Sequence, residues 1–319
     1  MERINSHKDV FFIGIKWDNH SKSPYYKFKS GPKDQDEQYA PMQEGSISLR
    51  VKKEKYCVGY CLPPDYHRGA CSQDQRITSE EECQCYVCKR KDSLYYLPVN
   101  TLNNQQVEAL KSEPHLNYIN IFGDKIIKNG VAALDRKFTR ILEQGALATI
   151  FFADTDGYNS RLIESTVSST LNIKQAVSWN TKIQNLHKIT SEQESRDLLL
   201  PIFNEIVGVL SPEQQGSVFK EPEYYYNYPS YRINLPTGVR TIDLHSKFSF
   251  GDTIYGEFVG IYGEILLLKI TNKYVAINTN GLRGYQVEIG DVNLSFTTKH
   301  QPKKLQVDVP PLVNLRLFG

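Results

Sequence analysis

Six cysteines lie between Cys57 and Cys88, and the rest of the 319-residue chain contains none. Within that block Cys85-Tyr86-Val87-Cys88 has the Cys-x-x-Cys spacing that lets two thiolates from one tight turn reach a tetrahedral ion. Two further ligands must come from Cys57, Cys61, His67, Cys71 or Cys83. Zinc suits such a site, because it favours thiolates, has no redox chemistry and can staple a loop-rich region that does not fold alone. Disulfides are rare in a reducing compartment, where a cysteine cluster reads as metal-binding. The competing reading is a set of free, redox-active thiols.

The rest of the composition bounds the setting. Hydrophobic residues make up 40% and charged residues 23% of the chain, the balance of an ordinary globular protein with material for two or three modest domains. The net charge of +2 excludes a globally basic, histone-like protein but not a local basic patch. The apolar run at Ile265–Leu268 is too short to cross a bilayer, and Met1–Asn5 leads into polar residues rather than a signal-peptide core. The expectation is a cytoplasmic protein.

The elements that must position any site follow from periodicity. Residues 10–17 and 46–53 read as strands, with a polar loop over Ser30–Glu44 between them. From Leu116 the pattern is strand, strand, helix, strand, helix. Tyr118–Phe122 and Lys125–Val131 are strands about a Gly123-Asp124 turn, and Leu134, Phe138, Ile141 and Leu142 recur at helical spacing before a stop at Gly145. Thr149–Ala153 is a third strand, and Asp156-Gly157 opens a helix with Leu162, Ile163, Val167 and Leu171 on its apolar face. Residues 190–210 form another helix, and beyond Pro222 the chain turns to Tyr- and Gly-punctuated strands.

Several segments together resemble an uncharacterised bacterial family, a domain of unknown function. They are Cys57-Val58-Gly59-Tyr60, Cys71, Gln84–Cys88, Tyr118–Gly123, Lys128–Val131, Arg136 and Arg140. Glu143-Gln144-Gly145-Ala146, Gly260–Glu264 and Gly284-Tyr285-Gln286-Val287 complete the set, and the likeness runs from about Leu49 to Ile289. The resemblance implies Cys57, Cys71, Cys85 and Cys88 as the zinc ligands, with Cys61 and Cys83 as extras.

The middle segment is also similar to a GIY-YIG nuclease core, with Tyr118, Gly130, Arg140, Glu164 and Asn180 at compatible places. That resemblance implies phosphodiester cleavage: Arg140 on the phosphate, Glu164 on Mg²⁺, and Tyr118 orienting or deprotonating the attacking water. Charge building on a phosphate has to be met by a cation and a metal. The first signature triplet is Leu116-Asn117-Tyr118 and the second Lys128-Asn129-Gly130, so the second tyrosine is absent.

Each of these residues also has a plainer reading. Arg140 and Glu164 fit solvated helix faces, Asn180 a loop, Tyr118 a core strand and Gly130 a backbone requirement. Segment 124–140 carries a local charge of +3, a modest basic patch in which Lys128, Arg136 and Arg140 are the candidate phosphate contacts. The tyrosines at 224–228 fit base stacking or, more simply, a sheet edge. His115, His187 and His245 have no partner at ligand spacing, and no phosphate-cradling loop, nucleophile elbow or zinc-protease motif is present.

The sequence therefore points to an α+β protein in three parts. An N-terminal β region with the zinc knuckle spans 1–105, a GIY-YIG-like α/β unit with a following helix spans 106–212, and a C-terminal β segment spans 213–319. The expected function is nucleic-acid binding, DNA or RNA, with Mg²⁺-dependent cleavage. The alternatives are a non-catalytic nucleic-acid or protein interaction module, and an enzyme acting on a small ligand in the same pocket.

Overall fold

A computed structural model describes residues 9–42, 45–62, 67–92, 99–123, 126–186, 191–236, 239–290 and 296–307. In chain order the strands are β1 (Asp9–Trp17), β2 (Pro24–Lys29), β3 (Gln38–Pro41), β4 (Ser46–Lys55), β5 (Tyr60–Leu62) and β6 (His67–Gly69). Helices α1 (Tyr86–Asp92) and α2 (Asn104–Lys111) lead to β7 (Pro114–Ile121), β8 (Ile127–Ala133), α3 (Lys137–Gln144), β9 (Ala148–Asp156) and α4 (Gly157–Leu171). Then come α5 (Trp179–Gln184), α6 (Glu192–Val209), α7 (Pro212–Gln215) and β10 (Val218–Tyr226). The chain closes with β11 (Thr241–His245), β12 (Thr253–Tyr262), β13 (Ile265–Ile270), β14 (Lys273–Asn278), β15 (Tyr285–Ile289) and β16 (Lys303–Gln306).

The protein is mixed α+β and is built on two large sheets. Ten strands form one, in the order β16-β11-β14-β13-β12-β4-β15-β1-β2-β3, and four form the other, in the order β10-β9-β7-β8. β4 lies between β12 and β15, and β1 pairs with β15. The two ends of the chain thus share one sheet, although the sequence reading set 1–105 and 213–319 apart. Neighbouring stretches of sequence suggest hairpins, whereas these pairings join residues more than 200 apart (Thr253 to Arg50, for example) and leave no local trace.

Local chemistry explains most element ends. Gly145 caps α3 in the left-handed conformation and its N–H returns to Ile141 and Leu142. The Asp156 side chain caps α4, and Ser191 with Glu194 forms a capping box at the start of α6. Two expectations shift. The Ser30–Glu44 loop contains β3, and β structure begins at Val218 rather than beyond Pro222. Asp124, Lys125 and His187 lie outside the described residues. Among the described residues no helix is long and apolar enough to cross a membrane.

An aromatic joint ties the ten-stranded sheet to the end of α3. Trp17, Tyr231 and Tyr262 are buried edge to face, with ring centroids 5.5 and 5.1 Å apart. Trp17 Nε1 donates to the Gly263 carbonyl at 3.1 Å, and the Tyr231 hydroxyl donates to the Ala146 carbonyl at 2.8 Å. Gly263, in the β12–β13 turn, has φ +65°, and a Cβ there would stand 2.6 Å from the Glu143 carbonyl oxygen. Only glycine allows the hairpin to close on the end of α3. Gly263→Ala is expected to cost about 2–4 kcal/mol, combining backbone strain and overpacking. The readout is a lower urea midpoint at unchanged slope, and a loss below about 0.5 kcal/mol would show that the joint yields.

Candidate functional site

Cys57 leaves the end of β4, held by its N–H to the Gln75 carbonyl (2.9 Å) while Tyr56 bonds Gly284 (2.8 Å). Cys71 follows the β5–β6 hairpin, and Cys85 and Cys88 sit before and within the first turn of α1. The four sulfurs lie within 4.8 Å of one another and all four residues are buried. Cys71 and Cys85 Sγ are 3.8 Å apart, close to the ~3.8 Å edge of a tetrahedron built on ~2.3 Å zinc–sulfur bonds. Cys57 Sγ accepts N–H groups from Cys85 (3.2 Å) and Gly59 (3.4 Å), and Cys85 Sγ accepts one from Cys88 (3.5 Å).

Without a cation, burial opposes ionisation at Cys57 and Cys88. Burial pushes Cys57 up to about 11 and raises Cys88 further. At Cys71 burial also acts upward, but backbone bonds from Gln75 and Gln73 outweigh it and bring the thiol down to about 7. Sulfur donors packed at tetrahedral spacing, already receiving N–H bonds, fit a metal ion such as zinc. The set is the one implied by the family resemblance. Cys83 is half-buried and outside the group, while the Cys61 and His67 side chains lie outside the described residues.

A second concentration of polar groups lies on the four-stranded sheet. Tyr118 on β7 faces Gly130 on β8, and a Cβ at Gly130 would meet the Tyr118 hydroxyl at 2.5 Å. Gly130 is there because the tyrosine ring folds across it. The Tyr118 hydroxyl accepts from Gln144 Nε2 (2.7 Å) and Lys128 Nζ (3.4 Å), and Lys128 also donates to Gln144 Oε1 (2.6 Å). Lys182 on α5 donates to the Gln144 carbonyl at 2.6 Å. One residue of α3, Gln144, therefore gathers a tyrosine and two lysines.

Glu164 on α4 faces this group. Its carboxylate makes no hydrogen bond or ion pair with a described residue. Burial raises its pKa, while Lys128, Arg161 and Arg140 favour its charged form. Burial, then Lys128 and Arg140, brings Lys182 down to about 8, against the pull of Glu264. Three cations, Lys128, Arg161 and Arg140, thus act on the Glu164 carboxylate, and Lys182 shares two of them with Glu264 nearby, a balance that stays positive and suits an anionic ligand.

Some sequence-derived roles meet obstacles here. Tyr118 is fully buried with its hydroxyl sealed under Gln144 and Lys128, so it does not face an attacking water. Lys128 is buried and bonded inward, and Arg136 is held by Glu143 at 2.7 Å, which withdraws both from the role of surface phosphate contacts. Asn180 starts α5 with its Oδ1 buried and unpartnered, and no bond joins it to Glu164. Tyr224–Tyr226 lie on β10, at the sheet edge, where Tyr224 bonds the Glu192 carbonyl. Gln144 and Lys182 were missed. The Glu-Gln-Gly-Ala segment pointed to Gln144, but nothing in the sequence marked Lys182.

A family model described as "Protein of unknown function (DUF2797)" matches residues 45–287, more than half of the chain. The chain belongs to this family. Comparisons with curated proteins and with solved structures gave no match. The DUF2797 span holds all four clustered cysteines, the Gln144–Glu164 group and both glycine motifs that meet at the sheet joint. Its closing Gly284-Tyr285-Gln286-Val287 runs along β4, with Tyr285 opposite Lys55, and so braces the strand that delivers Cys57.

Two outcomes are expected. Fresh reduced protein carries about one zinc per chain by elemental analysis, and Cys85→Ser loses metal and local folding together; metal-free protein of full stability would count against the site. Lys182 has a folded pKa of about 8 against an ordinary 10.5. Between those values the folded state holds fewer protons, so stability rises with pH through the window, and below pH 8 the burial penalty is complete. Denaturant titrations from pH 7 to 10 should show that rise in the native protein and not in Lys182→Met.

Proposed function

We propose that this is a zinc-stapled, cytoplasmic nucleic-acid-binding protein whose Arg140–Glu164 cluster receives a phosphodiester and, with Mg²⁺ held by Glu164, cleaves it. The observation that carries this reading is the half-buried Glu164 carboxylate, which bonds no described residue and feels the charges of Lys128, Arg161 and Arg140. A carboxylate kept out of water among cations is poised for a ligand that brings both negative charge and a metal. The order of paired strands, helix, strand and helix about Tyr118 is also the order implied by the GIY-YIG resemblance.

In this reading Arg140 takes the phosphate oxygens, where its planar fork gives bidentate contact. Lys182 and Lys128 supply fixed positive charge beneath, held in place by Gln144. Tyr118 supports Lys128 rather than the water. A divalent cation, when bound, would stabilise charge on the transferring phosphate and activate a water. The zinc site keeps α1 and the end of β4 together and takes no part in the chemistry.

A second reading, binding without cleavage, is favoured by the burial of Tyr118 and by Lys128 standing where the second tyrosine would be. Labelled single- and double-stranded DNA and RNA separate the two. Cleavage should require Mg²⁺ or Mn²⁺, and Glu164→Gln should lower it about 10²–10³-fold while binding persists. Arg140→Ala should weaken binding and reduce its salt dependence. Salt-sensitive binding with no cleavage under any divalent metal selects the second reading, and absence of both overturns the proposal.

A further inference from the structure

An open concavity is lined by none of the residues around Glu164. A cavity of about 430 Å³ opens near the β16 end of the ten-stranded sheet, around β11, the start of β14 and β16. Arg240, Lys273 and Lys304 line it together with Asp243, Thr241 and Tyr274. None of these six side chains makes a hydrogen bond or ion pair with a described residue. Asp243 and Lys304 are direct antiparallel partners, yet no ion pair closes between them, although opposite charges so placed commonly pair. Three cations against one carboxylate leave two positive charges in excess.

Lysines on an edge strand serve to block strand addition, and that accounts for Lys303 and Lys304 on β16. It does not account for Arg240, just before β11, or for Lys273, which opens β14; both belong to strands inside the edge. Their convergence with Lys304 on one hollow needs another cause. The volume is that of a small-molecule site and far exceeds an inorganic phosphate. Tyr274 supplies an aromatic wall, and Asp243 and Thr241 supply acceptors for amine or hydroxyl groups.

We propose that this cavity binds a nucleoside phosphate. Its phosphates meet Arg240, Lys273 and Lys304, its base lies against Tyr274, and Asp243 accepts from a base amine or ribose hydroxyl. The inference stands apart from the Glu164 cluster, which is built on the helices of the other sheet.

Calorimetric titration of the full chain with ATP, inorganic tripolyphosphate and adenosine tests it. ATP should bind saturably at one site, more tightly than either fragment. Arg240→Ala and Lys304→Ala should each weaken it about tenfold, as expected for loss of a charge-assisted contact. Lys304→Glu should abolish binding, and Tyr274→Ala should weaken ATP but not tripolyphosphate. Zinc content should stay unchanged in all of them, and melting temperature in the Arg240 and Lys304 variants, whose side chains bond no described residue; Tyr274 packs against the core, so its variant is judged by the difference between ATP and tripolyphosphate. The proposal is overturned if ATP does not saturate, or if tripolyphosphate binds as tightly as ATP. Binding that survives Arg240→Ala with Lys304→Ala but is lost in Arg140→Ala also overturns it, because the ligand would then belong to the Glu164 cluster.

Discussion

The closure of the β12–β13 turn onto the end of α3 is the contact from which the rest of the architecture follows. Gly263 and Gly145 approach so closely that a Cβ on either would meet the other's turn. The approach lets Trp17 reach the Gly263 carbonyl and brings Tyr231 and Tyr262 together between the sheets. It also fixes the last turn of α3, and with it Gln144. A side chain held from both ends can organise its neighbours. Gln144 does so for Tyr118 and Lys128 through its amide and for Lys182 through its carbonyl.

Two centres thus solve the same electrostatic problem in opposite ways. Four buried thiols at this spacing fit a cation such as zinc, whose binding would couple to local folding. In the Glu164 group the excess is positive, and burial lowers the pKa of Lys182 and raises that of Glu164. The first centre is closed and serves structure. The second is incompletely compensated, the condition in which a ligand gains most from binding.

The segments that carry the family resemblance acquire physical meaning from these contacts. Glu143-Gln144-Gly145-Ala146 and Gly260–Glu264, more than a hundred residues apart, are the two halves of the sheet joint. Glu264 continues the linkage, bonding Asn280 at 2.6 Å and pairing with Arg283 just before the closing glycine-tyrosine segment. That segment lies along β4, which leads directly into Cys57 of the four-cysteine cluster.

Local chemistry was legible in the sequence. Cysteine spacing pointed to a metal site, apolar period marked β1, β4, β7–β9, α3, α4 and α6, and Gly145 and Asp156 announced their caps. These signals act over a few residues, so a single chain displays them. The tertiary structure alone decided that β4 lies between β12 and β15, that Tyr118 is sealed under Gln144, and that Lys182 joins Lys128 and Arg140. It also placed Arg240, Lys273 and Lys304 around one cavity. Each of those outcomes depends on pairing between residues far apart in the chain. Burial and the summed field of neighbouring charges exist only after the sheets have closed, and no spacing of residue types encodes them.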